Sequence, residues 1–254
     1  MNGSVYYPAG HTKALEHAVY TLHRHGCCIA SKPDGRVTHL LLDVPAFSTD
    51  GSLRGGGNIE NVLASLDTNV IIVGGNLQHP ALSDRKALDL LQDPSYLSEN
   101  ADITAHCALK VALSQLPVTL KGCQVLVIGW GRIGKCLAAL LRRLGAIVTV
   151  ASRKESDRAM LRTLGYDTED SNNLNYGLVR YRVIFNTAPT MVITENALEF
   201  CQSNCLKIDL ASEKGIAGND VIWARGLPGK DAPETSGELI ARSILQLRQK
   251  GEFL

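Results

Sequence analysis

The sequence predicts an α/β protein with two domains, each built on a parallel sheet with helices on its faces. Two observations support this prediction. Short apolar segments alternate with amphipathic segments along most of the 254 residues, and one long helical pattern without a neighbouring strand interrupts them. We expect a small α/β domain over 1–97, an inter-domain helix over 98–116, a second α/β domain over 117–232 and a C-terminal helix over 233–254 that packs back toward the domain junction.

The first domain contains strand and helix patterns in alternation. The expected strands are "SVYYP", "CCIAS", "VTHLLLDVP" and "TNVIIVGG". The expected helices are "HTKALEHAVYTLHRHG", "GNIENVLASL" and "LSDRKALDLLQ", of which the first ends at Gly26 and the last is capped by Ser83. This order predicts a flavodoxin-like α/β domain.

The second domain begins after the helix "ENADITAHCALKVALSQLP", which Pro117 closes. Its first strand is "QVLVIG", and the later strands are "AIVTVAS", "RVIFNTA", "CLKIDLAS" and "VIWARGLPG". The terminal helix is "APETSGELIARSILQLRQKG".

Composition excludes several classes of protein. The 26 basic and 25 acidic residues leave a formal net charge of +1, so we expect no nucleic-acid partner. No apolar run approaches the roughly 20 residues of a membrane span, and the start of the chain has no signal-peptide pattern, so we expect a cytoplasmic protein without a membrane partner. The 7 cysteines are scattered, which favours reduced thiols, and Cys201 with Cys205 lacks further ligands, so we expect no metal site.

Three glycines follow the strand "QVLVIG" with G-x-G-x-x-G spacing and directly precede an amphipathic helix. Gly129 permits the tight turn, Gly131 lets a pyrophosphate approach the backbone, and Gly134 lets the helix and the strand pack closely. The spacing and its context predict a Rossmann dinucleotide-binding domain, with an ordinary strand-to-helix turn as the alternative. Arg132 and Ile133 complete the loop.

The residues after the second strand of this domain indicate which dinucleotide binds. An NAD site usually has a carboxylate there, whereas this chain has Ser152, Arg153 and Lys154. A hydroxyl and two cations suit a 2′-phosphate, so we expect NADP(H) to be preferred over NAD(H). The alternative is that the two cations are simply a solvated strand end.

The order of motifs in the second half resembles the family of dipicolinate synthase A subunits. The resemblance covers roughly residues 100 to 248 and rests on the glycine-loop segment together with "VIFNTAPTMVITENAL", "KIDLASEKGI" and "GLPGKDAPETSGELIA". More generally, the segment is similar to the cofactor domains of D-2-hydroxyacid dehydrogenases. The resemblance implies a pyridine-nucleotide-dependent oxidation of a tetrahydrodipicolinate-type ring, a small dicarboxylate substrate, and a partner that is a flavoprotein-like B subunit.

Carried onto this sequence, the resemblance places three loops at strand ends beside the nicotinamide. Open α/β sheets bind ligands at the carboxyl ends of their strands. Turn chemistry alone is the alternative, since it also favours Asn, Gly and Pro. The expected cofactor residues of these loops are Asn186, Thr187, Ala188, Pro189, Asp209, Leu210, Ala211, Pro228 and Gly229.

The chain departs from the family pattern at several positions. His106 and Cys107 stand where the family tends to have Glu and Gly, and Glu213 and Lys214 stand where it tends to have Arg and Pro. The first domain is short for the family and resembles it only faintly. These departures affect the identity of the substrate rather than the binding of the cofactor.

Candidate substrate residues follow from the needs of a cyclic dicarboxylate, which requires carboxylate donors and a proton-transfer group. His106 is the candidate acid or base, with a histidine satisfied in a helix interface as the alternative. Arg54 with the backbone of Gly55, Gly56 and Gly57 could hold a carboxylate, unless this is a loop without function. Thr104, Lys214 and Glu234 are weaker candidates.

Two functions therefore stay open for this sequence. One is an NADP(H)-dependent oxidoreductase, and the other is a non-catalytic NADP(H)-binding regulator or scaffold subunit. The oligomeric state is equally open, and a homo-oligomer is one alternative.

Overall fold

The computed structural model describes residues 3–54, 56–174, 177–249 and 251, and it divides the chain into two compact units. The first unit combines the chain up to Asn100 with the chain from Pro228 onward. The second unit runs from Ala101 to Leu227. Within the described residues, no helix has both the length and the apolar composition that crossing a membrane requires.

The first unit is built on a five-stranded parallel sheet in the order β2-β1-β3-β4-β5. This is the flavodoxin-like order, in which the chain changes direction beside β1. The strands are β1 Val5–Pro8, β2 Cys28–Ile29, β3 His39–Leu41, β4 Ile71–Gly74 and β5 Ala87–Asp89, and the helices are α1 Lys13–Arg24, α2 Ile59–Leu63 and the start of α3 Pro94–Gln115.

The prediction of a helix at "LSDRKALDLLQ" is wrong. Ala87–Asp89 is instead the edge strand β5, which pairs with Ile72–Gly74 of β4, and short 3-10 turns flank it. The apolar residues of this segment also fit helical spacing, so the pattern alone did not separate the two. The Asp89 carboxylate fixes the strand end by accepting hydrogen bonds from the backbone of Asn76 and Leu77.

The second unit is built on a six-stranded parallel sheet in the order β11-β10-β9-β6-β7-β8. This is the Rossmann order, with its switch point between β6 and β9. The predicted α/β fold class is confirmed. The strands are β6 Gln124–Ile128, β7 Ile147–Ser152, β8 Asp167–Asp170, β9 Val183–Asn186, β10 Leu206–Asp209 and β11 Val221–Trp223, and the helices are α4 Arg132–Arg143, α5 Glu155–Thr163 and α6 Glu195–Leu198.

The last two helices, α7 Leu227–Asp231 and α8 Pro233–Gln249, bring the chain back to the first unit. There α8 packs against α1 at Gly237. A Cβ at Gly237 would lie 2.5 Å from the backbone oxygen of Ala14 and 2.5 Å from the Cβ of His17. The two helices approach so closely at this point because the residue has no side chain.

Candidate functional site

The glycine loop between β6 and α4 is held by packing at two of its three glycines. Gly129 has a φ of 104°, and a Cβ there would lie 2.4 Å from Thr187 Oγ1. A Cβ on Gly134 would lie 2.1 Å from the backbone oxygen of Gly129. No larger residue fits either position, so the turn and the close approach of helix to strand account for both glycines.

Gly131 differs from the other two, because protein packing does not account for it. Within the described residues, no atom outside its immediate neighbours lies within 4 Å of where its Cβ would be. Gly131 caps α4 without any side-chain hydrogen bond to the first turn. The helix N-terminus therefore presents backbone N–H groups beside open space, which is the arrangement that binds a phosphate.

A cavity of about 850 Å³ lies at this edge of the second sheet. Its volume falls within the range of about 300–1,000 Å³ that is typical of small-molecule sites. Its walls are the glycine loop, the end of β7, the first turn of α5, a loop after β8 and the loop after β9. The lining residues are Ile128–Gly131, Ala151–Lys154, Asp157, Ser171, Asn172, Leu174, Ala188–Val192 and Thr194.

Ser152, at the end of β7, is paired with a carboxylate that the sequence reasoning missed. The side chain of Ser152 is buried, and its hydroxyl donates a hydrogen bond of 3.1 Å to Asp157 Oδ2. Asp157 lies in the first turn of α5 and lines the cavity. The sequence does contain a signal for this pair, because Asp157 is an acidic residue about one helical turn after the end of β7.

Arg153 and Lys154 are exposed at the same wall of the cavity. Within the described residues, neither side chain makes a hydrogen bond or an ion pair. Arg158, by contrast, donates to the backbone oxygens of Ser152 and Arg153 and pairs with Glu155 and Asp170. Arg153 and Lys154 are therefore the cations available to a ligand here.

Asn186 and Asp209 form a buried pair that holds two loops rather than opening toward a ligand. Both are 0% exposed, and Asn186 Nδ2 donates to Asp209 Oδ1 over 2.9 Å. Asp209 also accepts the backbone N–H groups of Ala211, Gly215 and Ile216. The amide of Asn186 is bonded to both the N–H and the oxygen of Ala188. All these groups are already hydrogen-bonded, so the pair positions the loops after β9 and β10.

The remaining loop residues divide into cavity-lining and structural positions. Ala188 and Pro189 line the cavity, whereas Thr187 donates its hydroxyl to the backbone oxygen of Ile128 over 2.9 Å. Leu210 and Ala211 are buried and do not line the cavity. Arg132 and Ile133 begin α4 just outside it. Pro228 and Gly229 lie in α7 and belong to the first unit.

His106 and Thr104 lie on α3 in the second unit. The side chain of His106 is 59% exposed, and its Nε2 lies 3.8 Å from Asp102 Oδ2, one helical turn earlier. Thr104 is buried. Lys214 lies in the loop after β10, and its ammonium group donates a hydrogen bond of 2.8 Å to the backbone oxygen of Gly218.

The other substrate candidates lie in the first unit. Arg54 is half-buried, and its backbone N–H donates to the oxygen of Ala46. Gly56 and Gly57 have positive φ values of 100° and 103°, while Gly55 lies outside the described residues. Glu234 is exposed in the first turn of α8.

Comparison with known proteins finds a similar sequence. No protein-family model matches the chain. The chain is 26% identical over 240 residues to the A subunit of dipicolinate synthase from Bacillus subtilis (strain 168), in an alignment that covers 87% of this chain and 81% of that protein. This alignment extends beyond the segment on which the motif resemblance rests.

Solved structures with the same fold include two such subunits and more distant enzymes. The crystal structure of the dipicolinate synthase A subunit from Bacillus halodurans has a TM-score of 0.85 at 22% identity, covering 97% of this chain and 98% of that one. A transhydrogenase from Sinorhizobium meliloti has a TM-score of 0.73 at 12% identity, covering 97% and 94%. D-lactate dehydrogenase from Escherichia coli has a TM-score of 0.61 at 14% identity, covering 98% and 97%.

These similarities support an oxidoreductase-type role. They also confirm the resemblance that the motifs of the second half indicated: the chain is similar in sequence to a dipicolinate synthase A subunit, and it shares the fold of such subunits and, more distantly, that of D-2-hydroxyacid dehydrogenases.

Proposed function

We propose that this protein is an NADP(H)-dependent oxidoreductase that forms dipicolinate from a (hydroxy-)tetrahydrodipicolinate-type cyclic imino dicarboxylate, and that its partner is a flavoprotein-like B subunit. The observation that carries the proposal is the open space at Gly131. The protein leaves this position clear in front of the N-terminus of α4, at the switch point of the second sheet, where a pyrophosphate would bind.

The described residues fit a nicotinamide dinucleotide. Gly131 and the first turn of α4 would hold the pyrophosphate, and the end of β7 would hold the adenosine ribose. Ala188 and Pro189 would line the nicotinamide half, with the Asn186–Asp209 pair positioning them. When bound, the cofactor would supply a hydride acceptor for the oxidation of the substrate ring. The protein's own residues would need to exclude water from that site and to accept the accompanying proton.

The preference for NADP(H) rests on Arg153 and Lys154. Both are exposed cations at the cavity wall, and other side chains do not engage them within the described residues. The Asp157 carboxylate opposes them, because it lies at the same wall and would repel a 2′-phosphate. Two positive charges against one negative charge favour the phosphate, and we expect a preference on the order of tenfold.

Proton transfer and substrate binding need groups beyond the cavity wall. The titratable residues that line the cavity are Arg153, Lys154 and Asp157, all at the ribose end. We assign proton transfer to His106, on α3, because burial and then the charge of Asp102, one turn before His106, raise the pKa of the Cys136 thiol on α4, so this part of α3 lies near that helix. Arg54 and the backbone of Gly55 to Gly57 would bind substrate carboxylates. Thr104, Lys214 and Glu234 are weaker assignments, and Lys214 already donates to the backbone.

The position of all the titratable cavity residues at the ribose end is also compatible with the non-catalytic alternative. A regulator or scaffold subunit needs the phosphate site but no proton-transfer group at the nicotinamide end, and the described cavity lining contains none there. Binding without turnover would therefore favour that alternative.

The deciding experiment separates binding from turnover. The chain has 2 tryptophans, of which Trp130 lines the cavity and Trp223 does not, so Trp223→Phe leaves Trp130 as the reporter. NADPH added to this variant should quench Trp130 emission. The purified protein would then be incubated with NADP⁺ and a tetrahydrodipicolinate-type substrate, with and without a B-type subunit. Dipicolinate formation supports the enzyme, quenching without product supports the regulator, and an absence of quenching contradicts both.

A further inference from the structure

Arg158, near the start of α5, joins three segments at the end of the cavity where the adenosine ribose would lie. Its Nη1 donates to the backbone oxygen of Ser152 over 2.6 Å and to that of Arg153 over 3.0 Å. The same nitrogen lies 3.2 Å from Asp170 Oδ2, at the end of β8. Its Nε and Nη2 each lie 2.9 Å from Glu155 Oε2. One side chain therefore ties the end of β7 to the end of β8 and to the first turn of α5.

The burial of Arg158 distinguishes these contacts from an ordinary surface ion pair. Its side chain is 15% exposed, whereas that of Arg162, one turn later on α5, is 51% exposed. Arg162 pairs with the same Glu155 carboxylate, and its other hydrogen bond goes to the Thr168 hydroxyl. Solvent screens such an exposed pair, so it contributes little. A largely buried guanidinium needs partners for its donors, and Arg158 has them in the oxygens at the strand ends.

The bond to the Arg153 oxygen holds a residue that has little other support. The pairing of β7 with β8 ends at Ser152, and the first hydrogen bonds of α5 go to the oxygen of Lys154. Arg153 lies between these two, and in the described parts of the chain its backbone oxygen accepts a hydrogen bond from Arg158 alone. The direction in which the Arg153 side chain leaves the backbone therefore depends on Arg158.

We propose that Arg158 is a positioning residue for the NADP(H) preference, because it fixes the backbone of Ser152 and Arg153 so that the Arg153 guanidinium meets the 2′-phosphate. This inference rests on the proposed function, since it requires a dinucleotide in the cavity. The Nε and both Nη nitrogens of Arg158 already engage protein oxygens, so Arg158 acts through Arg153 and does not bind the phosphate itself.

A purely electrostatic role for Arg158 makes a different prediction. Any cation at this point of α5 would then attract the phosphate, whatever its geometry. Lysine keeps the charge on a single nitrogen and lacks the planar edge that reaches several oxygens at once. Arg158→Lys therefore separates the two roles, because it keeps the charge and loses the clamp on the strand end.

The first experiment needs no cofactor. Trypsin cleaves after Arg153, so brief digestion of the whole folded protein, with mass spectrometry of the fragments that end at 153, measures how firmly this backbone is held. Arg158→Met should be cut there about tenfold faster or more, as expected for the loss of hydrogen bonds to a charged group. Arg162→Met removes a cation from the same helix and should be cut at the wild-type rate.

The other tryptic sites of Arg158→Met serve as a control for its folding. Unchanged cleavage at those sites, with faster cleavage after Arg153, supports a local clamp. Equal cleavage after Arg153 in the wild type and in Arg158→Met would overturn the proposal, and so would a uniform increase at all sites.

The second experiment measures NADPH and NADH affinities by calorimetry. Arg158→Met and Arg158→Lys should each reduce the NADPH preference from about tenfold to about twofold or less by weakening NADPH binding, while Arg162→Met should keep it. A full preference in Arg158→Lys would assign the effect to charge and overturn the proposal. If the wild type prefers NADPH and Arg158→Met keeps that preference, this inference alone fails. If the wild type binds neither nucleotide, the proposed function fails, and the inference fails with it.

Discussion

The Ser152 hydroxyl donates a hydrogen bond to the Asp157 carboxylate over 3.1 Å, at the wall of the cavity where the adenosine ribose would lie. Ser152 is buried, and its hydroxyl already donates this hydrogen bond. The charged side chains that line this wall are those of Asp157, Arg153 and Lys154. The balance among these three side chains gives the first two predictions.

Asp157→Asn should strengthen NADPH binding. The change removes a carboxylate that would repel a 2′-phosphate, and the net interaction of solvent-exposed charges is worth up to about 1 kcal/mol, or roughly fivefold in affinity. NADH lacks the phosphate and should gain nothing. Calorimetric titration with both nucleotides measures the difference. Asp167→Asn, at an exposed position outside the cavity, is the matched control, and an equal gain for NADH would contradict this role of Asp157.

Arg153→Ala should remove most of the preference for NADPH. The guanidinium is exposed at the cavity wall and available for charge-assisted hydrogen bonds, so we expect NADPH affinity to fall about tenfold. NADH affinity should stay nearly constant. Arg143→Ala, at the far end of α4, controls for the loss of one positive charge. If wild-type protein binds both nucleotides equally, the assignment of Arg153 is wrong.

Gly131→Ala and Gly134→Ala should have opposite effects on binding and stability. Among the described residues, the added methyl at Gly131 meets no atom beyond its chain neighbours, so the variant should keep its Tm while losing at least about tenfold in dinucleotide affinity. The methyl at Gly134 meets the backbone oxygen of Gly129 at 2.1 Å, which should cost about 1–3 kcal/mol of stability. Thermal unfolding and NADPH titration of both variants test this, and unchanged affinity in Gly131→Ala would remove the basis for the pyrophosphate site.

His106→Asn should lower turnover by about 100-fold or more if His106 transfers the proton, because the amide keeps polarity but does not titrate. NADPH affinity should be unchanged. The side chain is 59% exposed, so stability should also stay near that of the wild type. Steady-state kinetics with the B-type subunit present is the measurement. An exposed histidine elsewhere, His23→Asn on α1, is the control, and equal turnover in both variants would exclude His106 from the chemistry.

The first unit should lose stability in acid through His39. Burial, and then the nearby charge of Arg248, lower the pKa of His39 from 6.5 to about 4. The unfolded chain binds the proton first, so the free energy of unfolding should fall as the pH drops from 6.5 toward about 4, by about 3 kcal/mol in total. Urea unfolding at a series of pH values measures the slope. His39→Phe keeps a ring against Tyr6 and should remove this slope, and a persisting slope would assign it to other groups.

Local patterns were sufficient for much of the fold. The strand, the spaced glycines and the helix of the second unit follow from residues close together in the chain, and the Rossmann order of strands confirms the fold class they predicted. The segment around Ala87–Asp89 shows the limit of such patterns. Its apolar spacing suits a helix, but pairing with β4 makes it an edge strand, and that pairing depends on a partner more than ten positions away.

The sequence by itself determined the dinucleotide fingerprint, because a tight turn and a close helix approach are local backbone requirements that Gly129 and Gly134 meet. Only the tertiary structure decided what the polar residues do. The register of β9 and β10 places Asn186 beside Asp209, so these side chains bond each other instead of a ligand. The fold of α5 back onto the end of β7 likewise brings Asp157 to Ser152. A buried polar group takes whichever partner the fold brings within reach, and the linear sequence does not contain that distance.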